Sequence, residues 1–400
     1  MNNSVDFTTN IQHNLLPFGE VGRGLGASFY IHIPFCKQAC NYCDFHFSTS
    51  TKKKDEIILA LAKEIEMRKN EFENTIVETI YFGGGTPSLL EISEINFLIE
   101  TVYKNHKVVE NPEITLEANP DDLDEAKIIA FSKTKINRLS IGIQSFFDDD
   151  LKLMHRAHNS AEAKKSLQIA TQYFKNISID LIYGIPEMSN EKWQKNIETA
   201  LSFGIPHISS YALTVEPKTV LKKLISQGKI NAPKDEVALE HFEILVQILE
   251  KNNFIHYELS NFGKENFFSK NNSSYWLGKK YIGIGPSAHS FDGKSRSWNV
   301  SNNSLYLKSI LEEKLPNEIE ILTKTDLYNE YIMTGLRTIW GVSLEKIETE
   351  FGKNYLDYLL LQSQKHEQNG LLLVENEILR TTLKGKFLTD GISSDLFFLQ

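Results

Sequence analysis

Along residues 29–213, short apolar runs rich in β-branched residues alternate with stretches whose apolar positions recur at helical spacing. The runs are Phe29–Pro34, Thr79–Gly83, Glu113–Glu117, Arg138–Gln144, Asn176–Leu181 and His207–Leu213. Between them, Lys54–Lys69, Ile92–Tyr103, Leu123–Phe131, Ala161–Tyr173 and Glu191–Phe203 space their apolar residues three and four apart with charges between, the mark of amphipathic helices. Strand and helix in turn predict parallel pairing with right-handed crossovers. Six such units predict an α/β fold on a partial (β/α)6 barrel, short of the eight that close a full one.

Each run gives way to polar, glycine-rich or cysteine-rich residues. Cys36, Cys40 and Cys43 come after the first, Gly83-Gly84-Gly85-Thr86-Pro87 after the second, and Glu117-Ala118-Asn119-Pro120 after the third. The fourth ends at Gln144-Ser145, the fifth brings Asp180 and Tyr183-Gly184, the sixth Tyr211-Ala212-Leu213-Thr214. Parallel barrels carry their chemistry in the loops after the strands, so six such endings in order predict one shared site. From Phe254 the chain turns glycine-rich and aromatic, and from Thr323 mainly helical, with a hairpin pattern over Gly370–Arg380. The expected organisation is a leader over 1–27, a core over 28–255, a linking region over 256–320, and a mainly helical, winged-helix-like C-terminal domain over 321–400.

Composition narrows the function classes. The chain has 400 residues, 41% hydrophobic and 24% charged, with a net charge of −9. An acidic balance argues against nucleic-acid binding, which wants a basic face. No apolar run approaches the roughly 18 residues of a transmembrane helix, and residues 1–27 hold no apolar signal-like stretch, so the expected compartment is the cytoplasm. The glycines of Gly22–Gly26 follow no strand pattern, which excludes a dinucleotide-binding fingerprint there.

The three cysteines of the chain all lie between Cys36 and Cys43. A secreted disulfide scaffold uses an even number spread along the sequence; three crowded thiols call for a reducing compartment and a metal. A [4Fe–4S] cubane takes four ligands, usually thiolates. C-x3-C-x2-C supplies three and leaves one iron open, as a catalytic metal keeps a position for substrate. An open iron could chelate the amino and carboxylate groups of S-adenosylmethionine (SAM), and one electron would then cleave its carbon–sulfur bond. Three buried reduced cysteines, or a zinc site completed by His46 or His32, are the alternatives. The barrel context weighs against both, because Gly83–Gly85 bare backbone groups beside the cysteines while Glu117, Gln144, Arg156 and Asp180 offer groups to clasp a ribose and a carboxylate.

The stretch Tyr30-Ile-His-Ile-Pro-Phe-Cys36 through Cys43-Asp-Phe45 resembles the radical SAM group that contains oxygen-independent coproporphyrinogen III oxidase and the HemW haem chaperones. Tyr81–Ser88, Glu117–Pro120, Arg138–Ser145, Asp180–Pro186, His256–Phe262 and Tyr281–Ser290 carry the resemblance onward, over residues 28 to 400. It implies a [4Fe–4S] cluster on Cys36, Cys40 and Cys43, and a SAM site at Tyr30, Tyr42, Gly84, Gly85, Thr86, Glu117, Gln144, Arg156, Asp180 and Ala212. The oxidases have a fourth cysteine two residues after the third; this chain has Phe45 there, as the chaperones do. The chaperone branch is implied to bind haem and hand it to acceptor haemoproteins. Its H-N-x-x-Y-W segment reads Asn271-Asn272-Ser273-Ser274-Tyr275-Trp276 here, and asparagine is a poor iron ligand beside a neutral imidazole. Tyr275 and Trp276 remain as an aromatic platform, with His256 and His289 as candidate replacement ligands. Trp298 and Trp340 are expected in the core. The competing reading is a radical SAM oxidoreductase acting on coproporphyrinogen III or another tetrapyrrole. Contact with a membrane is expected, if at all, as peripheral docking through a protein partner; oligomeric state is left open.

Overall fold

The computed structural model describes residues 26–71 and 75–399. Six strands succeed one another in parallel: β1 (Gly26–Ile33), β2 (Ile76–Gly84), β3 (Val108–Ala118), β4 (Arg138–Gln144), β5 (Asn176–Tyr183) and β6 (His207–Ala212). The crossovers are α1 (Lys54–Met67), α2 (Ile92–Asn105), α3 (Glu125–Ser132), the pair α4 (Asp148–Leu153) and α5 (Ser160–Tyr173), and α6 (Asn190–Ser202). Each of α2 and α5 opens on a capping box, from Glu91 and Asn159, which satisfies otherwise orphaned N–H groups and fixes where the helix leaves the preceding loop. Ile31, Phe82, Leu116, Ile141, Ile179 and Ile208 are fully buried on the strands. The expected partial barrel is therefore present: the sheet stays open rather than closing on itself.

Residues 256–320 do more than link. After α7 (Val220–Ser226) and α8 (Asp235–Lys251), β7 (Ile255–Glu258) and β8 (Asn261–Gly263) extend the sheet antiparallel beyond β6. After α9 (Lys270–Trp276), β9 (Lys280–Ile284) returns to the opposite edge and pairs parallel with β1. β10 (His289–Phe291), β11 (Ser295–Asn299) and β12 (Asn317–Ile321), with α10 (Asn303–Leu311) before the last, complete a twelve-stranded sheet. Gly26 and Ala27 already belong to β1, so the strand starts two residues inside the expected leader; the rest of that leader lies outside the described residues.

A second, separate core lies around Tyr328, Ile332 and Leu336 of α11 (Lys324–Leu336) and Leu359 of α12 (Lys353–Gln368). It carries a small sheet of β13 (Val342–Ser343), β14 (Leu372–Glu375) and β15 (Ile378–Thr381). The hairpin falls where the sequence predicts one. Its turn, Asn376-Glu377, has positive φ at both residues (51° and 60°), the two-residue geometry that matches strand twist. Trp298 and Trp340 are half-buried rather than core. Among the described residues no helix is long and apolar enough to cross a membrane.

Candidate functional site at the barrel mouth

The cysteine loop is closed at its base and gripped from outside. Cys36 N donates to Ser48 O (3.1 Å) and Ser48 N to Pro34 O (2.9 Å), so the loop leaves and rejoins the end of β1. Asn41 donates through its backbone to Met154 O (3.0 Å) and through Nδ2 to Leu153 O (2.8 Å). Gln38 Nε2 reaches His155 O (2.8 Å), and His155 Nδ1 bonds Ala39 O (2.8 Å). His155 holds a left-handed conformation, φ 56°, which turns the chain so that Arg156 points inward. Lys37 adds ion pairs to Asp121 and Asp122.

The glycine run lies flat against this loop. Gly85 N donates to Ile33 O (2.8 Å) and Thr86 N to Phe35 O (2.7 Å). A Cβ at Gly85 would fall 2.5 Å from Phe35 O, and one at Gly84 (φ +104°) 2.5 Å from the His32 ring. Only glycine allows the two backbones to approach this closely. Thr86 Oγ1 donates to Cys36 Sγ at 3.5 Å.

Arg156 gathers the strand ends. Its Nη1 donates to Cys40 Sγ (3.3 Å) and the Tyr42 hydroxyl (3.4 Å); its Nη2 donates to Asn119 Oδ1 (2.7 Å) and Gly142 O (2.9 Å). Asn119 Nδ2 in turn donates to Thr86 Oγ1 (3.2 Å). Deeper in the barrel the Tyr81 hydroxyl donates to Glu117 Oε1 (2.8 Å). Burial, opposed by the hydrogen bond from Tyr81, lifts the Glu117 carboxyl to about 7. Burial likewise lifts Asp180 to about 6, against the pull of Arg156 and Arg138. Gln144 sits buried in the left-handed region, φ 66°, a strained position of the kind that clusters at functional sites.

Of the residues expected to hold SAM, Tyr42, Thr86 and Arg156 are joined by direct or shared hydrogen bonds. Gly84, Gly85, Glu117 and Gln144 stand at the ends of β2 to β4, Tyr30 lies within β1, Asp180 lies on β5, and Ala212 ends the adjoining β6. Asn119, Tyr81, Gly142 and His155 belong to the same network and are not evident as site residues in the sequence. Asn119 was within reach, sitting inside the Glu117–Pro120 motif; Tyr81 and Gly142 act through a hydrogen bond and a carbonyl that no spacing reveals.

The donor set fits an iron–sulfur cluster. Burial raises the Cys36 thiol, and burial together with the neighbouring Cys40 and Cys36 charges raises Cys43 to about 11. A cationic metal centre would take the protons off the Cys36 and Cys43 thiols, which resist ionising in the metal-free fold. A zinc site completed by histidine is disfavoured by geometry, since His32 has both ring nitrogens bonded and His46 Nε2 is held by Asn303 Oδ1 (2.7 Å).

The expected haem residues separate. Asn271 is buried, its Oδ1 accepting from Thr79 Oγ1 (2.9 Å) and its backbone N–H bonding Glu113 (3.0 Å); it caps structure rather than facing a ligand. Asn272 is half-buried, its N–H bonded to the Ser269 side chain (3.3 Å). His256 is a correction. It is 4% exposed, stacks on Phe262 at 4.1 Å, bonds Leu259 O through Nε2 (3.0 Å) and takes a hydrogen bond from Lys386 Nζ at Nδ1 (2.8 Å). With both nitrogens engaged it is a packing histidine. Beside the cysteine loop, Phe45, Phe47, Tyr275, Tyr281, His32 and His289 line a cavity of about 610 Å³. Tyr275 and Tyr281 also border a second, of about 560 Å³, with Trp276 and the C-terminal domain.

Residues 30–200 match the family model of the Radical SAM superfamily and residues 322–388 that of the HemN C-terminal domain. The chain is 34% identical over 370 residues to the heme chaperone HemW of Bacillus subtilis, covering 91% of this chain and 97% of that one. It is 31% identical over 380 residues to a mitochondrial radical S-adenosyl methionine domain-containing protein 1 of Danio rerio, covering 92% and 86%. Among solved structures, the coproporphyrinogen III oxidase HemN of Escherichia coli superposes with a TM-score of 0.80 at 22% identity, covering 95% of this chain and 92% of that one. That likeness establishes the fold.

Proposed function

Because the chain belongs to the HemW haem chaperone family of the radical SAM superfamily, we propose that it binds haem and delivers it to acceptor haemoproteins. The observation that carries this reading is the cavity lined by aromatic and histidine side chains directly beside the cysteine loop, within the roughly 300–1,000 Å³ range of cofactor pockets. At the loop, Phe45 stands 70% exposed, leaving no fourth thiolate there.

Cys36, Cys40 and Cys43 would hold a [4Fe–4S] cluster, which when bound supplies one-electron reduction of SAM. Arg156 sets the loop against the strand ends and keeps positive charge beside the thiolates. Gly84 and Gly85 bare the backbone that would meet the methionine end of SAM. Glu117, Gln144 and Asp180 would accept from its hydroxyl and amino groups, and Tyr30, Tyr42, Thr86 and Ala212 line the same mouth. The protein acts in the cytoplasm; where it meets membrane-bound acceptors it docks through the protein partner, since a net charge of −9 is repelled by anionic lipid.

The test is an anaerobic haem titration of the cluster-reconstituted protein, following the Soret band through a desalting column. Retained stoichiometric haem is expected. If no haem is retained, the chaperone reading fails, and SAM cleavage with coproporphyrinogen III as substrate becomes the assay to run.

A further inference from the structure

The family position that would supply an imidazole to haem iron holds Asn271, which is buried and hydrogen-bonded within the fold. The cavity beside the cysteine loop nonetheless carries imidazoles of its own, from His32, His46 and His289. His32 is engaged at both ring nitrogens and His46 at one. His32 is buried, with Nδ1 bonded to the Tyr30 hydroxyl (3.3 Å) and Nε2 to His46 O (2.9 Å). His46 donates from Nε2 to Asn303 Oδ1 (2.7 Å), which anchors its half-buried ring and leaves Nδ1 with the lone pair. His289 is exposed in the cavity wall, and among the described residues its ring nitrogens have no hydrogen-bonding partner.

Backbone packing puts it there. Ser287 adopts φ 64°, which reverses the chain after β9 so that β10 starts back over the barrel mouth. β10 then crosses Gly283 so closely that a Cβ there would sit 2.1 Å from His289 O, and Gly283 is itself the register partner of Tyr30. The Trp298 ring, across the β10–β11 pair, flanks the imidazole at 6.1 Å. Phe45, Phe47, Tyr275 and Tyr281 supply aromatic faces suited to the flat ring of a porphyrin, and Asp44, Ser287 and Ser301 add polar groups to the same walls.

Resting on the haem-binding reading above, we propose that His289 is the axial ligand of haem iron in this chain, with the porphyrin seated between the cysteine loop and Tyr275 and Tyr281. Partial burial and the Arg296 charge hold its imidazole below the usual histidine range, so at neutral pH it is neutral and its lone pair is free. A neutral imidazole is the form that binds iron.

The experiment is the anaerobic haem titration repeated on cluster-reconstituted His289→Gly and His289→Gln, with electron paramagnetic resonance of the ferric complex and added imidazole as rescue. Iron content and circular dichroism of each variant report folding, and the exposed side chain makes both substitutions compatible with it. Losing a partner one shell out already costs about 10–100-fold in metal affinity, so losing the ligand itself is expected to weaken haem binding by about tenfold or more. The Soret maximum and spin state change with it, and imidazole restores both in His289→Gly. Wild-type affinity and unchanged spectra in both variants overturn the assignment of His289 while leaving the chaperone reading intact. Haem lost by the wild-type protein as well overturns the reading on which it rests.

Discussion

Glu117 is a carboxyl held where ionisation is costly, and Glu117→Gln exposes why. Burial lifts it from 4.5 to about 7; at about 1.36 kcal/mol per pKa step, keeping it ionised in the ligand-free protein costs about 3 kcal/mol. The folded-state pKa is raised, so the favourable contribution is fully present below the unfolded value and is lost as pH climbs through about 7. The amide keeps the oxygen that accepts from Tyr81 and removes the charge. Glu117→Gln is therefore expected to stabilise the cluster-free protein at pH 8 by up to about 3 kcal/mol and at pH 5 by less than about 1. The first figure is an upper bound, because the new NH2 brings two donors into the site. Urea unfolding of wild type and variant at the two pH values measures the difference. If Glu117 is kept there for SAM, the same variant binds SAM about tenfold more weakly, the loss of one hydrogen bond to a charged group. Equal destabilisation at both pH values, or undiminished SAM affinity, refutes the reasoning.

Gly85→Ala is expected to abolish cluster retention, since its Cβ meets the backbone oxygens of Phe35 (2.5 Å) and Ile33 (2.8 Å), which cannot move without opening the loop; iron and sulfide per chain report it. Arg68→Met strands Glu64, fully buried with Arg68 at 3.3 Å and held also by Tyr306 and Asn299, and is expected to cost about 3–5 kcal/mol. The double variant with Glu64→Gln recovers part of that loss in denaturant unfolding. Lys386 is half-buried against His256 and desolvation pushes its ammonium down to about 8, so the folded state sheds this proton before the unfolded one does. Wild type gains stability over Lys386→Met as pH rises from about 8 towards 10.5, by about 3 kcal/mol in all; a constant difference across that range contradicts it.

The strand–helix alternation, the cysteine spacing and the motifs at the strand ends were legible because each is local. Period-2 and period-3.6 burial is written residue by residue, and three cysteines within eight positions point to a common centre from spacing alone. The hairpin at Leu372–Thr381 was legible for the same reason: a two-residue turn between two apolar runs needs nothing from the rest of the chain.

The sequence by itself leaves undecided everything that depends on residues far apart. The return of β9 to pair with β1 carries residues 280–321 to the sheet edge opposite β7 and β8, and no periodicity announces that jump. The convergence of Arg156 on Cys40, Asn119 and Gly142 required a left-handed His155 and a glycine opposite. The two candidate haem histidines looked alike as residues in a glycine-rich, aromatic stretch. Folding buried His256 between Phe262 and a lysine from the C-terminal domain, and turned His289 out on a strand that Gly283 lets pass. Ligand capacity belongs to a free lone pair in an open cavity, and only the packed chain decides which imidazole keeps one.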